Sequence, residues 1–486
     1  MADVLLTNTY FMQFDPKQLK LMQPYPPLAT LYAANVLRSN NIDVEFFDNI
    51  FTSSPKEIFP LVEQHAGKPF VIYDDGFNYL TKMCLVNMRD ACFEMISHAK
   101  KNNCIVIVSS SDATDHYKEY IEQGADFIIN GEAEITLKEL IANLLKGNDD
   151  HTSINGLAFK AGDKIIKTNG REVLHDLDAL GFPAWQLVDM EKYKSAWMQK
   201  HGYFSLNITT TRGCPFKCNW CAKPIYGNRY NSRTPENVLE EIKLLINNYG
   251  AKHFWFCDDI FGLKPGWIKK FAALVAEQKT KFKYKIQCRA DLLLDENNIA
   301  DLAASGCDEI WVGAESGSQK ILDAMDKGTT LEQIHLCTQL MKKHKIKPCF
   351  FLQFGYLGET KEDIDKTINM LFELMPHDIG ISVSYPLPGT KFYDIVHHDL
   401  KEKQNWNHSD DLAMMFHSTY SGKYYKQLHR YIHKRFRKAQ GLQGIKKIFS
   451  QPAHLSEMEI KRIISLPYFI PMSYWTKFRL AIIGRN

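Results

Sequence analysis

The chain has 486 residues, 45% of them hydrophobic and 24% charged, with a formal net charge of +3. Such a length exceeds one ordinary core and predicts two or three domains, the composition is that of a globular protein, and so small a charge gives no case for a nucleic-acid partner. Met1 to Asn8 lacks the basic start and apolar core of a signal peptide, and no apolar run approaches the ~20 residues of a membrane span. Eleven cysteines, scattered apart from one tight group, fit a reducing compartment, so a cytoplasmic protein without transmembrane segments is expected.

Residues 1–147 alternate short apolar runs with amphipathic stretches. Val4 to Leu6, Val44 to Phe47, Phe70 to Tyr73, Ile105 to Val108 and Phe127 to Ile129 read as strands; Leu28 to Arg38, Pro55 to His65, Leu85 to Lys100, Tyr117 to Gln123 and Thr136 to Leu145 read as helices. Nearly continuous apolar strands between helices predict a parallel sheet covered on both faces, a doubly wound Rossmann-like α/β domain. Ligands in such sheets sit beyond the carboxyl ends of the strands. The residues there are Asn8, Pro27, Asp48, Asp74 with Asp75, Ser109 with Ser110, and Gly131 with Glu132. No Gly-x-Gly-x-x-Gly follows the first strand, which removes the usual support for a dinucleotide. An interaction domain with polar loops is the competing reading.

Residues 148–203 read as a bridge. Ile154 to Ile166 predicts a hairpin turning at Ala161-Gly162-Asp163, and Leu177 to Tyr193 has no clear period and reads as a linker. Residues 204–399 resume the alternation, with strands at Leu206 to Thr210, His253 to Cys257, Tyr284 to Gln287, Glu309 to Val312, Cys349 to Phe354 and Ile379 to Ser384. Thr234 and Pro235 supply a cap and a first helical residue. Six βα units are two short of a closed (β/α)8 barrel, so a partial barrel is expected.

The first strand of this region runs into Thr210-Thr211-Arg212-Gly213-Cys214-Pro215-Phe216-Lys217-Cys218-Asn219-Trp220-Cys221. Three thiols at C-x3-C-x2-C spacing suit one metal centre. Structural zinc normally takes four protein ligands, and no nearby pair supplies the fourth; three soft sulfur ligands suit an iron-sulfur cluster with one iron left open. A zinc loop is the alternative on spacing alone. Further candidates fall at successive strand ends: Asp258 and Asp259, Gln287 and Arg289, Glu315 and Ser316, then Gly355 and Gly358. Capping or turn geometry explains each of them singly. Residues 400–486 turn helical, with basic and aromatic residues from Lys423 to Lys438 and an aromatic, proline-containing stretch from Leu466 to Ile483. They read as a small helical cap over the barrel mouth, with a peripheral membrane contact as the alternative.

The cysteine loop, with Trp220 before its last cysteine, resembles the cluster-binding loop of the radical S-adenosylmethionine (SAM) superfamily. That resemblance implies a 4Fe-4S cluster on Cys214, Cys218 and Cys221, with SAM chelated to the open iron and split to a 5'-deoxyadenosyl radical. It implies that Trp220, Asp258, Asp259, Gln287, Arg289, Glu315, Ser316, Gly355 and Gly358 contact SAM. The Rossmann-like module ahead of the barrel, its Pro26-Pro27 turn, Gly131-Glu132-Ala133-Glu134 and the turn Pro386-Leu387-Pro388-Gly389-Thr390 are similar to the cobalamin-dependent class that includes radical SAM methyltransferases and the anaerobic magnesium-protoporphyrin cyclase. Cobalamin near Asn8, Pro27, Asp48, Asp74, Asp75, Ser109, Ser110, Gly131 and Glu132 is therefore expected. The chain departs from the many cobalamin proteins that carry Asp-x-His-x-x-Gly, so a lower face without a histidine ligand is implied. A small-molecule substrate, methyl transfer to an unactivated carbon, with cyclisation or rearrangement as the other outcomes, and a reducing partner such as flavodoxin or ferredoxin complete what the resemblance implies. A radical SAM enzyme without cobalamin and an iron-sulfur protein of electron transfer, binding or structure are the alternatives.

Overall fold

A computed structural model describes residues 2–77, 85–400, 404–450 and 456–484. The first sheet has seven strands: β1 (Val4–Thr7), β2 (Val44–Phe47), β3 (Pro69–Tyr73), β4 (Ile105–Ser109), β5 (Phe127–Ile129), β6 (Leu157–Ala161) and β7 (Lys164–Lys167). Their order is β2-β1-β3-β4-β5-β6-β7. The first five run parallel, in registers such as Leu5 opposite Phe70 and Phe70 opposite Val106. Every residue of β1 and β3 is buried, because helices cover both faces. The predicted hairpin forms as β6 and β7 and extends this sheet antiparallel, with Ile128 opposite Ala158.

The bridge is more ordered than its aperiodic sequence suggests. Within it lies the helix Met190–His201, which buries only Met190, Tyr193 and Trp197. Three anchors in twelve residues make too narrow a stripe to stand out as a helical period. These anchors tie the two halves of the chain together: Trp197 Nε1 donates to the Pro24 carbonyl at 2.7 Å and Tyr193 Oη donates to Asp48 at 2.6 Å.

The second sheet is wholly parallel, in the order β15-β14-β13-β12-β11-β8. Its strands are β8 (Ser205–Ile208), β11 (His253–Phe256), β12 (Lys283–Cys288), β13 (Cys307–Glu315), β14 (Lys347–Phe354) and β15 (Asp378–Val383). A two-residue antiparallel ribbon, β9 (Thr211–Arg212) with β10 (Asn231–Ser232), closes the cysteine loop between β8 and the helix Pro235–Tyr249. This is the expected half-barrel of six βα units. As expected, Thr234 caps its first helix through the Asn237 amide; in addition Thr360 with Asp363 forms a reciprocal capping box.

The tail departs from the expected cap. The irregular segment before residue 422 lies at the mouth, where Ser418 Oγ donates to the Gly355 carbonyl. The helix Gly422–Ser450 then runs down the outer side of the half-barrel: Tyr425 stands near Gly355 at the carboxyl end of β14, whereas Arg437 pairs with Asp378 at the amino end of β15. Among the described residues no helix is long and apolar enough to cross a membrane.

Candidate active site

The cysteine loop is built by its neighbours. Asp258, buried after β11, accepts from Thr209 Oγ1 and Thr210 Oγ1 and from the amides of Thr210 and Thr211, the last two at 2.7 and 2.8 Å. Burial pushes its carboxyl up to about 6, against the pull of those donors. Both oxygens of Asp258 are thus engaged in bracing the chain just before the cysteines. Gly213 has φ +77, and a Cβ there would sit 2.4 Å from the Arg229 carbonyl, so only glycine fits this crossing. Lys223 Nζ gathers the carbonyls of Cys214 and Phe216 and the Asn228 side chain. Asn219 spans the barrel mouth: its amide and Nδ2 donate to the Met325 and Ala324 carbonyls, and its Oδ1 accepts from Tyr356 Oη at 2.9 Å.

All three cysteines are half-buried. Burial pushes the Cys214 thiol up, while the Phe216 amide and the Lys223 ammonium pull it back. Among the described residues no three His, Cys, Asp or Glu side chains converge closely enough for a bare metal ion. A cubane cluster, being larger, holds its thiolates further apart than one ion does, and the donor set of three thiols on one loop fits it. Polar groups suited to such a cluster surround the loop. Arg289 Nη1 lies 3.6 Å from Cys218 Sγ and its guanidinium stacks 3.8 Å from the Phe216 ring. Trp220 Nε1 is buried with no hydrogen-bond partner.

The strand-end residues divide into two groups. Glu315 sits after a bulge in the β13–β14 pairing, at φ +54, a strained setting for a side chain with a Cβ. Its carboxylate pairs at 2.8 Å with Lys327, and both are buried. Burial draws the Lys327 pKa down, but Glu315 and the nearby Cys218 thiol hold it above the usual lysine range. Glu315, Lys327, Arg289 and Trp220 thus stand around Cys218. Asp259 is exposed within electrostatic reach of Cys214. Gln287 is half-buried and its carbonyl accepts from the Phe261 amide. The second group serves the fold in this structure. Ser316 bonds Thr367 and the Ser318 amide. Gly355 packs against Met414 and Tyr425 of the tail, and the Gly358 carbonyl accepts from Lys320.

In the first domain, Asp74, Gly76, Ser109 and Ser110 line a narrow crevice at the carboxyl ends of β3 and β4, closed on its opposite wall by Ile225 and Tyr226 of the cysteine loop. Asp74 accepts from the Thr9 amide and hydroxyl, and burial raises its carboxyl to about 6. Ser110 caps the short helix Ser111–Asp115, Asp75 accepts from the Ala29 amide just after Pro27, and Asn8 accepts from the Tyr10 amide. Asp48 is turned toward Tyr193. The Ser111 hydroxyl and both polar atoms of the Asn130 side chain are buried without partners at the ends of β4 and β5. Unpaired groups of both senses fit a ligand rich in amides, which donate and accept alike, as the rim of a corrin is. Gly131 approaches the Ile225 carbonyl, and Glu132 and Glu134 both accept from Arg212, two residues before Cys214.

Sequence reasoning missed Arg212, Asn219, Lys223, Lys327 and Glu359. Glu359 is fully buried, accepts from the Gly355 amide, and burial raises its carboxyl to about 8. The first three lie in or beside the motif, so its length was the available signal. Lys327 offered none, since nothing local links it to Glu315.

The profile of the radical SAM superfamily matches residues 208–371. An uncharacterised methyltransferase of Pyrococcus horikoshii is 28% identical over 283 residues, 58% of this chain and 60% of that protein. The anaerobic magnesium-protoporphyrin IX monomethyl ester cyclase of Rubrivivax gelatinosus is 26% identical over 370 residues, 75% of this chain and 65% of that one. The chain thus spans less than two thirds of these relatives' length. Among solved structures, the cobalamin-dependent SAM radical enzyme OxsB, with aqua-cobalamin and SAM bound, superposes with TM-score 0.72 at 17% identity over 98% of this chain and 72% of that chain. The methyltransferase TsrM from Kitasatospora setae, with cobalamin and a 4Fe-4S cluster bound, gives TM-score 0.66 at 18% identity over 82% and 75%. These structures share the fold: a mixed α/β domain, a six-stranded half-barrel and C-terminal helices.

Proposed function

From the premise that the chain is a radical SAM enzyme with its core at residues 208–371, we propose that it is cobalamin-dependent and transfers a methyl group to an unactivated carbon of a small-molecule substrate. One observation carries this reading. The carboxyl end of the first sheet faces the cysteine loop directly, with Asp74, Ser109 and Ser110 on one wall of a narrow crevice and Ile225 and Tyr226 on the other.

When bound, the cluster supplies the electron that cleaves SAM, and cobalamin supplies a transferable methyl group. The chain's own residues hold and shield. Cys214, Cys218 and Cys221 would ligate the cluster, while Arg289 and Lys327 place positive charge beside Cys218 and offset the anionic thiolates. Glu315, fixed by its bulge and by Lys327, would accept hydrogen bonds from SAM. Asp258 keeps the loop's approach rigid. Asn219, tied to Tyr356 across the mouth, would limit water entry. The crevice residues Asp74, Ser109, Ser110 and Ser111, with Asn130, would hold cobalamin's amides. An external one-electron donor such as flavodoxin or ferredoxin would supply the reductant.

The test is anaerobic reconstitution with iron, sulfide and hydroxocobalamin, followed by desalting and incubation with SAM and reductant. Retention of the cobalamin spectrum together with formation of both 5'-deoxyadenosine and S-adenosylhomocysteine is expected. Deoxyadenosine from a protein that keeps no cobalamin would overturn the cobalamin reading and leave the radical enzyme in place.

Glu315→Gln is expected to weaken SAM binding by roughly tenfold to a hundredfold, the range for removing one charge-assisted hydrogen bond, with the cluster spectrum unchanged. Equilibrium binding of SAM to the reconstituted variant measures this. Unchanged affinity would confine Glu315 to its ion pair with Lys327.

A further inference from the structure

The helix Leu466–Ile483 is built inside out. A soluble helix buries its large apolar residues and exposes its polar ones, yet here the buried residues are Leu466, Ser473 and Thr476. Tyr468, Ile470, Tyr474, Trp475, Phe478 and Ile482 are exposed, Tyr474 at 65% and Phe478 at 59%. The polar side is used against the neighbouring helix Gly422–Ser450, whose Gln427 donates to the Thr476 carbonyl at 2.9 Å. The apolar side has no cover among the described residues. A contiguous apolar surface of this kind marks an interaction site.

Charge identifies the occupant. The helix Gly422–Ser450 carries nine Lys and Arg residues, and Leu466–Ile483 carries Lys477 and Arg479; neither holds an Asp or Glu. Among the described residues Lys426 meets Asp411, Arg437 meets Asp378 and Lys447 meets Glu459. Others stand among the exposed aromatics. Lys434 Nζ donates to Tyr468 Oη at 2.7 Å, and Lys438 lies 4.5 Å from the Tyr474 ring centroid. Tyrosine, tryptophan and cations together suit the boundary between lipid headgroups and acyl chains, where each has an apolar body and a polar end. A second copy of the chain would bring like charge against like charge.

We propose that this helix pair seats the enzyme on an anionic phospholipid bilayer. The helix lies in the interface plane with Trp475, Phe478 and Ile482 inserted and Lys477 and Arg479 among the headgroups. Its carboxyl end, where Gly484 meets Tyr424, lies at the same end of the half-barrel as Gly355, so the helix runs toward the mouth of the site.

Flotation of the full-length protein tests this, with vesicles of equal parts phosphatidylglycerol and phosphatidylcholine compared with vesicles of phosphatidylcholine alone. Binding to the anionic vesicles that falls as salt rises is expected. Lys477→Gln with Arg479→Gln should weaken it by roughly thirty-fold, and Trp475→Ser, Phe478→Ser and Ile482→Ser together by at least about a hundredfold. Should the triple variant lose helical circular dichroism, the charge variant still decides. Equal binding by both variants and the parent, or equal flotation with neutral vesicles, would overturn the proposal. So would a concentration-dependent dimer, or retention on single-stranded RNA, that the variants abolish while vesicles capture nothing.

Discussion

Replacing Cys214, Cys218 and Cys221 together by alanine is expected to abolish the cluster's visible absorbance and to bring SAM cleavage down to the uncatalysed background, while the chain stays folded. The loop's shape does not depend on the thiols. Asp258 braces its start, Lys223 gathers its carbonyls, Gly213 provides its crossing, and Asn219 pins its far side to Ala324, Met325 and Tyr356. The three sulfurs are half-buried and make no packing that alanine would forfeit in full, so the thermal midpoint of the apo-protein should move by only a few degrees. Iron and sulfide analysis separates the readings. A parent protein that binds about one zinc and no sulfide would return the loop to the zinc alternative that its spacing alone permits. SAM cleavage retained by the triple variant would sink the assignment of these cysteines.

What the sequence disclosed, and what it did not, follows from how far each feature reaches along the chain. Strands such as Phe70 to Tyr73 and Ile105 to Val108 are buried on both sides and so stand out as apolar runs. Cys214, Cys218 and Cys221 lie within eight residues, and their spacing alone states their chemistry. Long-range pairings leave no such trace. Lys327 becomes Glu315's partner only because the β13–β14 bulge turns Glu315 toward it. Asp258 reads as a free acid at a strand end, yet four donors from Thr209 to Thr211 take up its two oxygens. Gly355 gives no sign in the sequence that the tail's Met414 and Tyr425 lie against it. The final helix misleads in the opposite way, because apolar residues ordinarily signal a core, and here they face outward.

Arg212 couples the two domains at the point where their sites meet, and its loss should be the most damaging single change to stability outside the core. Its guanidinium is buried and donates to Glu132, in the loop after β5, and at 2.7 Å to Glu134, the first residue of the following helix. It also lies within 5.2 to 5.6 Å of the ring centroids of Tyr226, Tyr32 and Phe77. Arg212→Met keeps much of the packing and removes the charge. Two buried carboxylates then lack their counter-ion, which costs about 3–5 kcal/mol, or roughly 10 °C in the midpoint of the domain concerned. The loss should depend on pH in a definite direction. Burial already pushes Glu132 up, and Arg212 is what opposes it; without Arg212 its folded pKa rises further above the unfolded value. Between those two values the folded state holds the extra proton, so stability falls as pH rises through them. Thermal melts of parent and variant at pH 5 and pH 8 should therefore show the smaller gap at pH 5. Adding Glu132→Gln and Glu134→Gln to Arg212→Met should recover part of the loss at pH 8, because no uncompensated charge is left buried. A gap that is the same at both pH values, or wider at pH 5, would show that Arg212 contributes through packing against the three rings and not through the carboxylates.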